Sequence, residues 1–115
     1  MALVDTEKRG RIRELNDALR ASFSPKLGKI MLTASVDSLP SDMRAMAIRK
    51  TATFDAFTKE NDPHGEHDLG ALELGARKFF WKIDCYDKRM EFGSDDPADP
   101  TKTTRVLTLM LAEEY

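Results

Sequence analysis

Gly75-Ala76, set between two runs of strand-forming residues, constrains this chain more than any other feature. Glycine followed by a second residue between such runs fits a two-residue type II′ hairpin, because glycine supplies the positive φ of the first turn position. A turn that short fixes the pairing register. The runs 67–74 and 77–86 then place Leu74 opposite Arg77, Glu73 opposite Lys78 and Leu72 opposite Phe79. Further out, Gly70 faces Trp81, Leu69 faces Lys82 and His67 faces Asp84. Two consequences support this alignment. Glu73 and Lys78 become an opposite-charge cross-strand pair. Leu72, Leu74, Phe79, Trp81 and Ile83 fall on one face, which becomes the core, with Trp81 lying over the bare backbone of Gly70.

The rest of the chain is organised around that hairpin. Ile12, Leu15, Leu19 and Phe23 recur at helical spacing and predict an amphipathic helix over 5–23, with Asp5 or Thr6 as its cap. Apolar alternation through Ile30, Leu32, Ala34 and Val36 predicts a strand over 29–38. A short helix follows, capped by Ser41, with Met43, Met46 and Ala47 as its apolar stripe. Residues 51–58 read as a strand, and Asp62-Pro63-His64-Gly65 fits a type I turn. A short added strand is expected near 90–93. Asp95 to Pro100 forms a loop that leads into a final helix, in which Val106, Leu107, Met110 and Leu111 form the stripe. The expected fold is α+β: a mainly antiparallel sheet of three to five strands, packed in two layers with N-terminal and C-terminal helices.

Composition narrows the class. The chain has 115 residues, which suits a single domain over 1–115. One cysteine excludes an intramolecular disulfide framework and an all-cysteine zinc site. No apolar run is long enough to span a membrane, and the opening residues lack the pattern of a leader, so a cytoplasmic protein is expected. Net charge is −2, but residues 1–54 carry ten bases and six acids while residues 55–115 carry eight and fourteen. The basic residues Arg9, Arg13 and Arg20 fall near one edge of the first helix and read as a solvated face with i,i+4 ion pairs, Glu7–Arg11 and Arg13–Asp17. That balance argues against a nucleic-acid domain.

Chemistry concentrates between Asn61 and Asp87. The register brings His67 to Asp84, with Lys82 on the same side, away from Trp81. A carboxylate beside an imidazole orients the ring and raises its basicity, so His67, Asp84 and Lys82 are the catalytic candidates. His64, Glu66, His67, Asp68 and Asp84 are the candidate ligands for a divalent cation, and no other cofactor is expected. The spacing matches no metal or nucleophile motif of known mechanism. Cys85 shares the Trp81 face and reads as a small buried hydrophobe. Leu69, Ala71 and Phe80 lie on the opposite face. If no helix covers them they form a binding surface, to which the acidic loop residues Asp95, Asp96 and Asp99 could contribute.

Taken together, Phe54-Asp55-Ala56-Phe57, the run Asn61 to Asp68, Phe80-Trp81-Lys82-Ile83-Asp84, Asp96-Pro97-Ala98-Asp99-Pro100 and Arg105-Val106-Leu107-Thr108 resemble a short alphaproteobacterial family of domains of unknown function. The resemblance covers nearly all of the chain. It departs at Cys85, where an aromatic residue is expected, and at Leu69, where phenylalanine is expected. It implies no reaction or ligand. Members of the family are associated with plasmids and other mobile elements, which implies, by analogy, a setting in the contest between mobile DNA and host defence. The first expectation is therefore a non-enzymatic interaction module with a protein partner, a mobile-element accessory or inhibitor of host defence. The second is a small metal-dependent hydrolase built on His67 and Asp84.

Overall fold

The computed structural model describes residues 3–115. Met1 and Ala2, the first residues of the segment read above as lacking a leader, lie outside them. Helix α1 spans Asp5–Ser22, strand β1 Lys29–Leu32, the short helix α2 Ala34–Asp37 and helix α3 Ser41–Ala52. Strands β2 (Leu69–Leu74), β3 (Arg77–Tyr86) and β4 (Thr104–Leu111) follow, with a 3₁₀ turn at Ala112–Glu114. The four strands form one mixed sheet in the order β1-β4-β3-β2. β2–β3 and β3–β4 are antiparallel, and β1–β4 is parallel. No helix among the described residues is long and apolar enough to cross a membrane.

The hairpin has the expected register from Leu69↔Lys82 through Gly70↔Trp81 to Leu74↔Arg77. Gly75 takes φ 62° while Ala76 stays out of the left-handed region, as a II′ turn requires. Gly70 is needed for a different reason. A β-carbon there would fall inside the Trp81 indole, with the ring carbon Cε2 only 2.6 Å away. Trp81 and Phe79 are fully buried and anchor a core with Leu72, Ile83, Leu107 and Leu109 from the sheet and Leu19, Val36 and Ala47 from the helices. Burying each large apolar side chain of this kind contributes about 1.5–3 kcal/mol.

Three expected elements are replaced. The final helix is strand β4, an inner strand whose Val106, Leu107, Leu109, Met110 and Leu111 are buried on both faces. Burial on both sides gives a continuous apolar run, and periodicity alone does not separate that from a helical stripe. Only the 3₁₀ turn at Ala112–Glu114 is helical at this end. The strand over 29–38 stops at Leu32, because the Thr33 hydroxyl accepts from the Val36 N–H and starts α2. The strand over 51–58 is absent: Thr51 and Ala52 end α3, and 54–58 is irregular. Near 90–93 only a single bridge, Tyr86↔Gly93, forms. At the helix starts, Val4 and Pro40 occupy the cap positions, so neither Asp5, Thr6 nor Ser41 caps as expected.

Candidate functional site

The residues of α1 that face the sheet include a polar row. Arg13, Asn16, Asp17 and Arg20 recur at i, i+3, i+4 and i+7, and all four reach across to the region 51–67. Arg13 Nη1 donates to the Gly65 carbonyl at 3.0 Å, and Asn16 Nδ2 donates to the Glu66 carbonyl at 3.0 Å. Asp17 meets His67 Nδ1 at 2.9 Å and takes Arg20 Nη2 at 2.9 Å on the same oxygen. Arg20 Nη1 donates to the carbonyls of Thr51, Ala52 and Phe54, closing the C-terminal end of α3. The Thr51 and Ala52 carbonyls belong to the last turn of α3, where the guanidinium adds a charged donor and complements the helix dipole, and Phe54 lies just beyond it. The guanidinium carbon stands 5.0 Å from the Trp81 ring centre. Arg9 and Arg13 are exposed, as a solvated edge requires, but Arg20 is buried, which corrects that reading for the third residue. The ion pairs of this helix are Arg11–Glu14 and Arg20–Asp17, in place of Glu7–Arg11 and Arg13–Asp17.

His67 does not face Asp84. Its φ is 54°, so the chain leaves extended geometry there and the ladder begins only at Leu69. The ring turns back toward α1. Nδ1 meets Asp17, Nε2 lies 3.6 Å from the buried Asp62 carboxylate, and the ring stacks on Phe57 with centroids 3.7 Å apart. Nδ1 is thus hydrogen-bonded to a carboxylate, Nε2 faces a second one beyond hydrogen-bond distance, and one face of the ring is covered by a phenyl ring. Asp84 instead binds Lys82 at 3.1 Å. That carboxylate holds the Lys82 ammonium above its ordinary value. The catalytic constellation of His67, Asp84 and Lys82 therefore does not assemble.

The candidate metal ligands fare similarly. His64 and Asp68 are exposed, Glu66 is half-buried and points its carbonyl to Asn16, and His67 is occupied as described. No group of three or more His, Cys, Asp or Glu side chains with the arrangement of a cation site occurs among the described residues. Two carboxyls of the stretch are nonetheless perturbed. Burial and then the Asp68 charge raise Glu66 above its ordinary value. Partial burial of its carboxyl and the nearby Asp62 charge raise Asp68, although the residue as a whole is exposed. Cys85 shares the core face at its rim, and burial raises its thiol above the usual value.

Among the described residues, the other face of the sheet carries no helix of α1–α3, and only the C-terminal turn with Tyr115 lies against it. All three helices pack on the side of Trp81, Leu107 and Leu109. On the opposite side the pairing register aligns Met31 with Thr108 and Lys82, and Ala71 with Phe80 and Met110. Met110 is buried at the centre, while Met31 is 51% and Leu69 36% exposed at the two margins. Tyr115, 70% exposed, sets its ring edge-on to Phe80 at 5.1 Å. Lys82, paired with Asp84, and Thr108 lie between Met31 and Leu69 in one row, and the Lys78–Glu73 pair lies beyond Phe80 and Ala71 on the same face. A cavity of about 270 Å³ continues from Leu69 and Phe80 around the β2 edge to Phe54 and Ala56.

The acidic loop stands apart from that face in its bonding. Asp95 is exposed, the Asp96 carbonyl accepts from Thr103, and the Asp99 carboxylate accepts from the Thr101 N–H and hydroxyl, which lowers its pKa below the ordinary range.

Asn16 and Asp17, which bind the Asn61–Asp68 turn, and Arg20, which holds Asp17, were absent from the sequence reading of the site. Their signal was available: Asn16 sits within the apolar positions Ile12, Leu19 and Phe23, where a polar residue needs a buried partner.

No curated protein and no solved structure matches the chain. A family model described as a protein of unknown function (DUF3768) matches residues 32–114, which takes in β1's last residue, α2, α3 and the three remaining strands. The chain belongs to that family of unknown function.

Proposed function

We propose that the protein is a non-enzymatic interaction module of the cytoplasm, which binds a protein partner through the bare face of its sheet. The observation that carries this reading is the packing of all three helices on one side, which leaves Met31 and Leu69 exposed at the two edges of the other face and Phe80 with Tyr115 beside Met110. Exposed apolar side chains set among the Lys82–Asp84 and Lys78–Glu73 pairs give the mixed apolar and polar surface that transient interfaces use. The setting we propose, on the analogy drawn above, is an accessory or inhibitor role in the contest between mobile DNA and host defence.

Affinity capture from a lysate of the native host tests it. The unaltered chain should retain a partner that Met31→Glu with Leu69→Glu loses, while His67→Ala keeps it. Both margin residues are solvent-facing, so the double variant should still fold, as a melting curve would establish. Retention of no partner, or of the same partner by both chains, overturns the proposal.

A further inference from the structure

Arg105 is the most deeply buried cation of the sheet, 3% exposed, and no carboxylate is in ion-pair contact with it among the described residues. Its hydrogen bonds go to neutral acceptors only: Nε to the Asn16 side-chain oxygen at 2.8 Å, and Nη2 to the Pro97 carbonyl. The Glu66 carboxylate acts on it only from beyond ion-pair contact, and an anion placed directly beside a buried guanidinium offsets more of the cost of burying it.

Arg105 lines a cavity of about 340 Å³ between α1, the Pro25–Lys29 connection and the start of β4. Lys26, Lys29 and Lys88 line it as well, and neither Asp nor Glu does. Such a lining is unexpected in a chain with 20 acids against 18 bases. None of the three lysines is in an ion pair among the described residues. Asp99, which feels Lys88 at longer range, commits its carboxylate to Thr101. The remaining wall is apolar, contributed by Leu15, Ala18 and Leu27. The volume lies at the small end of the range for small-molecule pockets.

We propose that this cavity binds a small phosphate monoester, its phosphate held by Arg105 and the three lysines and its organic group laid on Leu15, Ala18 and Leu27. Lysine ammoniums serve phosphate as mobile point charges, and the buried guanidinium adds a fixed donor. This site is separate from the bare sheet face, so either proposal stands or falls without the other.

The test is a titration of phenyl phosphate into the isotope-labelled full chain at low salt, followed by amide resonances. Saturable shifts are expected at Gly28, Lys29 and Thr104. The double variant Lys29→Gln with Lys88→Gln should weaken binding about tenfold or more, a loss of about 1.4 kcal/mol. These lysines are exposed, so the variant should keep its melting temperature, which avoids the folding risk of altering Arg105. Absence of saturable shifts, or unchanged affinity in the double variant, overturns the proposal. So does inorganic phosphate or benzoate binding as tightly as phenyl phosphate, since the apolar wall or the phosphate preference would then be idle. Displacement of phenyl phosphate by a lower concentration of single-stranded DNA would also overturn it, in favour of a polyanion surface.

Discussion

Gly70→Ala should be among the most damaging one-carbon changes this chain can suffer. The added β-carbon would stand 2.6 Å from Trp81 Cε2 and 2.7 Å from Cζ2, well inside van der Waals contact. Trp81 has no room to withdraw. It is fully buried, with Phe54 edge-on at 5.5 Å, Phe57 at 6.1 Å and the Arg20 guanidinium at 5.0 Å. Overpacking of a core costs about 1–3 kcal/mol, and a site hemmed in by rings and backbone belongs at the upper end. A cost of about 3 kcal/mol would lower the melting temperature of a domain this size by more than about 10 °C. Gly75→Ala is the matched control. Its β-carbon would meet nothing within 4 Å, so only the positive φ of 62° resists it, at about 1 kcal/mol. Urea denaturation of both variants measures the difference. Because Trp81 is the only tryptophan, its near-ultraviolet circular dichroism reports the same site directly. In Gly70→Ala the indole band should change, and in Gly75→Ala it should not. If the two variants melt together, or the band is unaltered in Gly70→Ala, the steric argument is refuted.

Further outcomes follow from other contacts. Arg20→Met should cost about 3 kcal/mol, since the Ala52 and Phe54 carbonyls lose their side-chain donor and Asp17 and Thr51 each lose one of two, and Arg20→Lys should not restore it because one ammonium cannot span them; chemical denaturation decides. Glu66 and Asp68 have raised folded-state values, so the folded chain binds more protons than the unfolded one just above pH 4. Their contribution to stability is therefore greatest below the unfolded carboxylate range and falls as pH rises through the folded values. Glu66→Gln with Asp68→Asn should raise the melting temperature at pH 7 and lose that advantage toward pH 3, measured by melts across the range. Burial keeps the Cys85 thiol protonated at neutral pH, so it should react with a thiol reagent more slowly than free cysteine in the native chain and at the free rate in urea.

The hairpin was legible because its information is local. A turn of two residues ties each position of one strand to one of the other, and the Gly70–Trp81 packing follows from that register. Strand β4 was not legible, since its apolar run reflects neighbours on both sides, β1 and β3, that lie far away in sequence. The site failed for a related reason. His67 was placed by extending a ladder two residues past its end, whereas its position is set by α1 through Asp17 and by Asp62 within its own turn. A left-handed φ at a histidine leaves no mark in composition or periodicity. The bare face was half legible: Leu69 and Phe80 were correctly opposed to the core, but which side the helices take is a tertiary choice.

The place of β4 has a consequence for synthesis. This last strand sits between β1 and β3, so β1 has no neighbour in the sheet until β4 emerges. A nascent chain lacking β4 would hold a hairpin and a stranded early segment, with Ile30 and Leu32 facing an empty slot. Closing a contact so distant along the chain is slow compared with forming the hairpin, and the interval leaves two unpaired edges open to aggregation. Frameshifts or early stops upstream of Thr104 should therefore yield material that chaperones and proteases intercept, rather than a shortened domain.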